Sequence, residues 1–167
     1  LAANGNAGMA MVVTHIAAAA ASLTWMVVEW SLHGKPSVVG LVTGTIAGLA
    51  TITPASGYVG PVGAVLIGIA AGLVCYWAVG LIKKRFAIDD TLDVFGVHGV
   101  GGMLGGLLAA IFVSSDFGGL GFAQGMDTAK QLWVQAVGVI ATVAWSVILT
   151  YIILKVVAGI SGLRVWT

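Results

Sequence analysis

Between Lys130 and Lys155 the chain carries no charged side chain, and most of the intervening positions are apolar. A run of that length cannot serve as the solvated helix of a small globular domain. It exceeds the roughly 20 residues that cross the hydrocarbon of a bilayer. Four other apolar stretches precede it. They run from about Gly8 to Leu32, Val38 to Ile52, Tyr58 to Ile82 and Asp93 to Val113, with the last from about Ala129 to Gly159. Five membrane helices are therefore expected. The stretch over 38–52 is short for a crossing and should be tucked against neighbours, whereas that over 129–159 should tilt or protrude.

Composition agrees with lipid as the solvent. Hydrophobic residues make up 59% of the 167 positions and charged ones 8%, with a mean hydropathy of +1.08. A soluble domain carries roughly 25% charged residues. The net charge of +1 says nothing about nucleic acid, and with no basic patch with interleaved aromatics it is not expected as a partner. No HExxH site, P-loop or nucleophile elbow occurs, so an enzyme is not expected. Three scattered histidines and one cysteine do not make a metal site, and no cofactor is implied. Cys75 lies in an apolar run and is read as packing. The opening "LAANGNAGMA" has no basic segment of a signal peptide and no initiator methionine, which suggests part of a longer chain.

The connections are well punctuated. "HGKPS" offers Pro36 for the first turn of a helix, "TITPASGYVGP" holds Pro54, Gly57 and Pro61, and "SSDFGGLGFAQGMDTAK" is glycine-rich and polar. Lys35, Lys83, Lys84, Arg85, Lys155 and Arg164 fall on one side of the membrane and Lys130 on the other. By the positive-inside rule the first and third connections and the C-terminus are cytoplasmic. Trp25, Trp30, Trp77 and Trp166 are candidate interfacial anchors, with packing inside a span as the alternative.

Small residues four apart recur in "GTIAG" at 44–48, "GIAAG" at 68–72 and "GVGGMLGG" at 99–106. Such spacing lets helix backbones approach closely in lipid, so a compact bundle is expected. The third motif follows His98 in "DDTLDVFGVHGVGGMLGG". On a regular helix His98 shares a face with Val94, Phe95, Gly101, Gly102 and Gly105. An intramembrane ionisable residue normally faces the bundle interior or a cavity. Burial favours the neutral ring, which both donates and accepts a hydrogen bond. Spacing alone leaves transport and simple packing equally open for His98. Asp89 or Asp90 suits a helix cap, and Asp93 opens the same helix, where a carboxylate favours the positive end. Asp93 also has the position to draw cations toward a pore mouth. His15 is expected to pack among alanines with a hydrogen bond, with transport as the alternative, and His33 to be solvated; Glu29 can reach the inner interface, with a structural ion pair as its simple reading. Thr53 and Pro54 end the short second span; a plain turn is the simple reading, and an entrance lining the alternative.

"DDTLDVFGVHGVGGMLGGLLAAIF" resembles the second-histidine helix of the ammonium transporters, the Amt/Mep/Rh family. "VTHIAAAAASLTWMVVEW", "GKPSVVGLVTGTIAGLATITPASGYVGPVGA" and "GLRV" are similar to the same family in the same order, and to its bacterial-type branch. The likeness implies an all-α polytopic fold. It has eleven membrane helices with an inverted repeat, of which this chain resembles helices 7–11. It implies a homotrimer in the cell membrane with a narrow apolar pore through each subunit. It further implies that His98 is the second of two pore histidines, that Val94 lines the pore, that Asp93 sits at the cytoplasmic mouth and that Thr53 lies near the outer vestibule. The first histidine, the gating aromatics and the outer recognition residues belong to the missing half. Ammonium or ammonia would be the solute, and a PII-type regulatory protein would bind the cytoplasmic face. An ammonium sensor built on the same unit and a structural membrane bundle are the competing readings. Counted from Asp93, His98 lies only about 7–8 Å into its helix at 1.5 Å per residue, so the helix should start earlier or the mouth be indented.

Overall fold

A computed structural model describes residues 3–163. Its five α-helices are α1 (Gly5–His33), α2 (Val38–Ile52), α3 (Pro61–Gly80), α4 (Val100–Phe112) and α5 (Thr128–Ile160). A wide π-helical turn, Leu81–Arg85, extends α3, and a second, Val94–Gly99, leads into α4. No strand occurs among the described residues. With their wide turns included, Gly5–His33, Pro61–Arg85, Val94–Phe112 and Thr128–Ile160 are long and apolar enough to cross a membrane. The remaining helix, α2, has 15 residues, a length of about 22 Å at 1.5 Å each. That is short of a roughly 30 Å hydrocarbon core.

The helix ends follow local chemistry. The Asn4 side chain accepts from Ala7 N at 3.2 Å and starts α1. Gly34 adopts a left-handed conformation at its end, where the missing Cβ removes the penalty. Ser37 starts α2 by accepting from Gly40 N at 2.9 Å, and Asp127 starts α5 by accepting from Lys130 N at 2.9 Å. Pro36 stands just outside α2 and does not take the first-turn position expected of it. Pro61 takes that position in α3, where its missing N–H costs nothing.

The alanine run of α1 lies at the centre, packed against both α2 and α3. Ala17, Ala18 and Ala21 are buried there. A Cβ on Gly48 of α2 would lie 2.5 Å from the Ala17 carbonyl oxygen, and one on Gly68 of α3 would meet the same oxygen at 2.5 Å. The first two small-residue motifs are thus close-packing devices, with Ala17 at the apex between them. The short α2 is tucked among α1, α3 and α4, as its length requires. The long α5 packs along α4 and buries none of its residues within this chain.

In α1 one open reading is decided and two expectations are corrected. Trp25 is a packing residue, 5% exposed, with its ring edge-on to Tyr76 at 5.2 Å. Trp30 and Trp77 do lie on the surface, and Trp166 and Arg164 lie outside the described residues. His15 is exposed, not packed among alanines, and its Nδ1 lies 2.8 Å from the Met11 carbonyl oxygen of its own helix. The predicted ion pair of Glu29 is replaced by hydrogen bonds. Its carboxylate accepts from the Ser37 backbone N–H at 2.8 Å and from the Ser37 hydroxyl at 2.9 Å, which ties α1 to the start of α2.

Candidate functional site

The wide turn Val94–Gly99 carries His98, and local contacts explain its shape. Asp90 reaches over from the preceding loop, and its Oδ2 accepts from both Phe95 N and Gly96 N at 3.0 Å. Gly96 is buried where a side chain would strike Val79 of α3. The Cys75 thiol of α3 donates to the Val97 carbonyl at 3.9 Å, a long contact suited only to sulfur. Asp90 therefore supplies the cap the sequence suggested. Desolvation raises its carboxyl, but the amides of Gly96, Phe95 and Val94 together with the Lys83 charge outweigh it and hold the pKa below the usual carboxylate value.

Asp93 occupies the cap position of the turn without capping it. Its backbone is left-handed, with φ at 56°, a conformation costly for a residue with a Cβ. Its carboxylate turns instead to Lys83, at 2.6 Å, and Oδ1 has no other polar partner. The charge that could attract cations to this end is thus largely matched by the lysine. The helix does not begin before Val94, so His98 stays close to its start.

The face drawn from a regular helix splits in two. Gly101 and Gly105 are buried against α2, where a Cβ on Gly101 would lie 2.8 Å from Thr51 Oγ1 and one on Gly105 would overlap the Thr51 carbonyl oxygen. His98, Val94 and Phe95 are exposed, and Gly102 has nothing near its missing side chain. The physical reason is the wide turn. It winds fewer degrees per residue than an α-helix, so His98 lags behind the glycines that follow. Val94, His98 and Gly102 form a strip that the five helices leave open. No side chain among the described residues hydrogen-bonds the His98 ring.

Thr53 is not gathered with these residues. It ends α2, is exposed, and donates to the Leu49 carbonyl of its own helix at 2.7 Å. Its neighbour Pro54 lies 3.1 Å from where a Cβ on Gly105 would stand. Thr53 is therefore level with Gly105, about 10 Å along α4 from His98 at 1.5 Å per residue. A groove of about 350 Å³ between α4 and α5, lined by Gly102, Gly106, Gln135 and Thr142 among others, adjoins the strip. A larger cavity of about 760 Å³, lined by Trp25, Tyr76, Trp77 and Lys84 among others, shares no residue with it. No three of His, Cys, Asp and Glu converge on a metal position among the described residues.

Sequence reasoning passed over Thr51, which is fully buried and lies against both Gly101 and Gly105. The readable signal was its place between the "GTIAG" motif and the helix-ending proline. It also passed over Lys83 as the partner of Asp93, since their ten-residue separation gives no helical spacing.

The sequence profile of the Ammonium Transporter Family matches residues 1–167. The chain is 46% identical to an ammonium transporter of Aquifex aeolicus over 99% of its own length and 39% of the relative's. It is 44% identical to ammonium transporter Amt1 of Archaeoglobus fulgidus, covering 99% of this chain and 41% of that one. Among solved structures, the fold is similar to Candida albicans Mep2, with a TM-score of 0.82 and 40% identity over 97% of this chain and 37% of that one. It is also similar to a structure described as a sensor Amt protein, with a TM-score of 0.88 and 34% identity over 98% of this chain and 40% of that one. The chain spans about two fifths of the length of these relatives. Its apolar helices and its match over the whole of its length agree: the chain belongs to the ammonium transporter family.

Proposed function

We propose that this chain supplies one wall of a narrow apolar pore that carries ammonium or ammonia across a cell membrane, with His98 as its polar element. The observation that carries this reading is the open strip of Val94, His98 and Gly102 on a helix whose other face is closed by α2 and α3. An imidazole left toward hydrocarbon is costly, so the strip calls for a second wall. The chain is two fifths as long as its relatives, which leaves room for that wall in the rest of such a protein.

In this reading a bare cation would not enter cheaply, because desolvation of an unpaired charge costs far more than that of a neutral molecule. A proton would leave ammonium before the dry section, and the His98 ring would donate to or accept from the passing ammonia. Val94 would form the apolar lining one turn away. Asp93, held by Lys83, would stand at the cytoplasmic mouth, and Thr53 would line the path further out. The C-terminus would be cytoplasmic, as the basic residues require. A homotrimer and a PII-type regulator on the cytoplasmic face follow from the family likeness.

A second reading, an ammonium sensor, is favoured by the likeness to the sensor Amt protein. Ammonium or methylammonium uptake by liposomes holding the complete protein separates the two. Selective uptake is expected for a transporter; ligand binding without flux would favour the sensor. Liposomes holding only this chain are expected not to conduct, because one wall of the pore is absent. Selective uptake by the chain alone would overturn the two-wall account.

A further inference from the structure

Thr51 stands apart from five other helical threonines. Thr14, Thr24, Thr43, Thr45 and Thr142 each donate to the carbonyl four residues earlier, at 2.7–2.9 Å. Thr51 sits in the same kind of helix, is 0% exposed, and its Oγ1 has no hydrogen-bond partner. Such a group loses its water without replacement, which is costly. The side chain is turned instead toward α4. A Cβ on Gly101 would lie 2.8 Å from Thr51 Oγ1 and 3.4 Å from Cys75 Sγ, so the hydroxyl and the thiol flank one point over the glycine backbone. The Thr51 carbonyl presses on Gly105, one turn along α4. Cys75 in turn reaches the Val97 carbonyl, the peptide group that immediately precedes His98.

From this we infer that Thr51 and Cys75 form a buried hydroxyl–thiol relay across Gly101 that sets the rotation of the turn carrying His98. In this scheme the otherwise unpartnered Thr51 hydroxyl turns its hydrogen toward the Cys75 sulfur, in a contact too long or too bent to count as a formed hydrogen bond, and the thiol hydrogen goes to the Val97 carbonyl oxygen. Sulfur is a weak donor and a weak acceptor, so each link is soft. Between three packed helices, however, no water competes for either. The relay joins α2 and α3 to the turn that leads into α4, about one turn from His98. Thr51 and Cys75 are positioning residues in this scheme and do not touch the solute. The inference rests on the pore reading of His98.

The test uses the complete protein in liposomes, with methylammonium uptake measured across a pH series. Thr51→Val keeps the shape and removes the hydroxyl; Cys75→Ala removes the thiol. Each is expected to lower uptake roughly two- to tenfold, the span of one neutral hydrogen bond. Each is also expected to shift the pH profile, which a purely structural defect would not do. Thr51→Ser and Cys75→Ser retain a donor and are expected to restore both. The double variant Thr51→Val/Cys75→Ala should be no worse than the more impaired single one, since both cut the same relay. Wild-type uptake and pH profile in Thr51→Val and Cys75→Ala, with His98→Ala altered, would overturn the relay and leave the pore reading standing. Unaltered uptake in His98→Ala would overturn the pore reading and the relay with it. If Thr51→Val fails to reach the membrane, the Cys75→Ala and Cys75→Ser pair decides by the same criteria.

Discussion

Replacing Gly68 by alanine tests the close packing that organises the bundle. The new methyl would lie 2.5 Å from the Ala17 carbonyl oxygen, 2.8 Å from Ala20 Cβ and 3.0 Å from Ala17 Cα. A carbon and a carbonyl oxygen in close contact sit about 3.3 Å apart, so the helices must separate by about 0.8 Å. Overpacking of this kind costs about 1–3 kcal/mol. Alanine returns up to about 1 kcal/mol through its better helix propensity. With that full return the net loss should be about 0–2 kcal/mol. Gly8→Ala is the control, because that glycine is in α1 with nothing near its missing side chain. Thermal unfolding of the complete protein in detergent should rank Gly68→Ala several degrees below Gly8→Ala. Gly48→Ala should behave like Gly68→Ala, since it meets the same carbonyl at 2.5 Å. One outward shift of α1 relieves both clashes, so the double variant should cost less than the sum of the singles by about 0.5 kcal/mol or more. Equal melting of Gly68→Ala and Gly8→Ala would refute the reasoning.

Gly105→Ala should be more damaging than Gly68→Ala, because its methyl overlaps the Thr51 carbonyl oxygen outright, whereas that of Gly68→Ala crowds the Ala17 carbonyl oxygen at 2.5 Å; unfolding and uptake of the two variants, measured side by side, check this. Asp90→Ala removes the acceptor for two backbone N–H groups and should cost about 0.5–2 kcal/mol, read from the unfolding midpoint. The folded pKa of Asp90 lies below its unfolded value, so the contribution is present above about pH 4 and is lost as the pH falls through the folded value. Acid unfolding of wild type should therefore contain a step that Asp90→Ala lacks. A like acid profile in both would contradict it.

Much of the fold was legible because apolar length and end chemistry are local. The limits of α2 come from Ser37 at one end and Thr53–Pro54 at the other, and both signals lie in the chain itself. The glycine motifs at 44–48 and 68–72 announced close packing, and the alanines of α1 were their natural complement. The rotation of the His98 turn was not legible. It depends on Asp90 reaching over from the loop, on Val79 meeting Gly96, and on Cys75 reaching Val97, all of which join different segments. A regular helix therefore grouped Gly101 and Gly105 with His98, whereas the wide turn separates them. The partnership of Asp93 with Lys83 was hidden for a related reason, since a left-handed residue re-aims its side chain. Trp25 was ambiguous because an indole suits an interface and a core equally, and only the Tyr76 contact decides between them.

The central claim is that the His98 ring meets the transported solute. Uptake of methylammonium by the complete protein, compared with that of potassium, tests it in wild type, His98→Ala and His98→Glu. Removing the ring should reduce methylammonium uptake, and placing a carboxylate there should raise the leak of potassium, because a fixed negative charge stabilises a bare cation in the pore. Wild-type uptake and wild-type discrimination in both variants would contradict the claim and leave His98 as a packing residue.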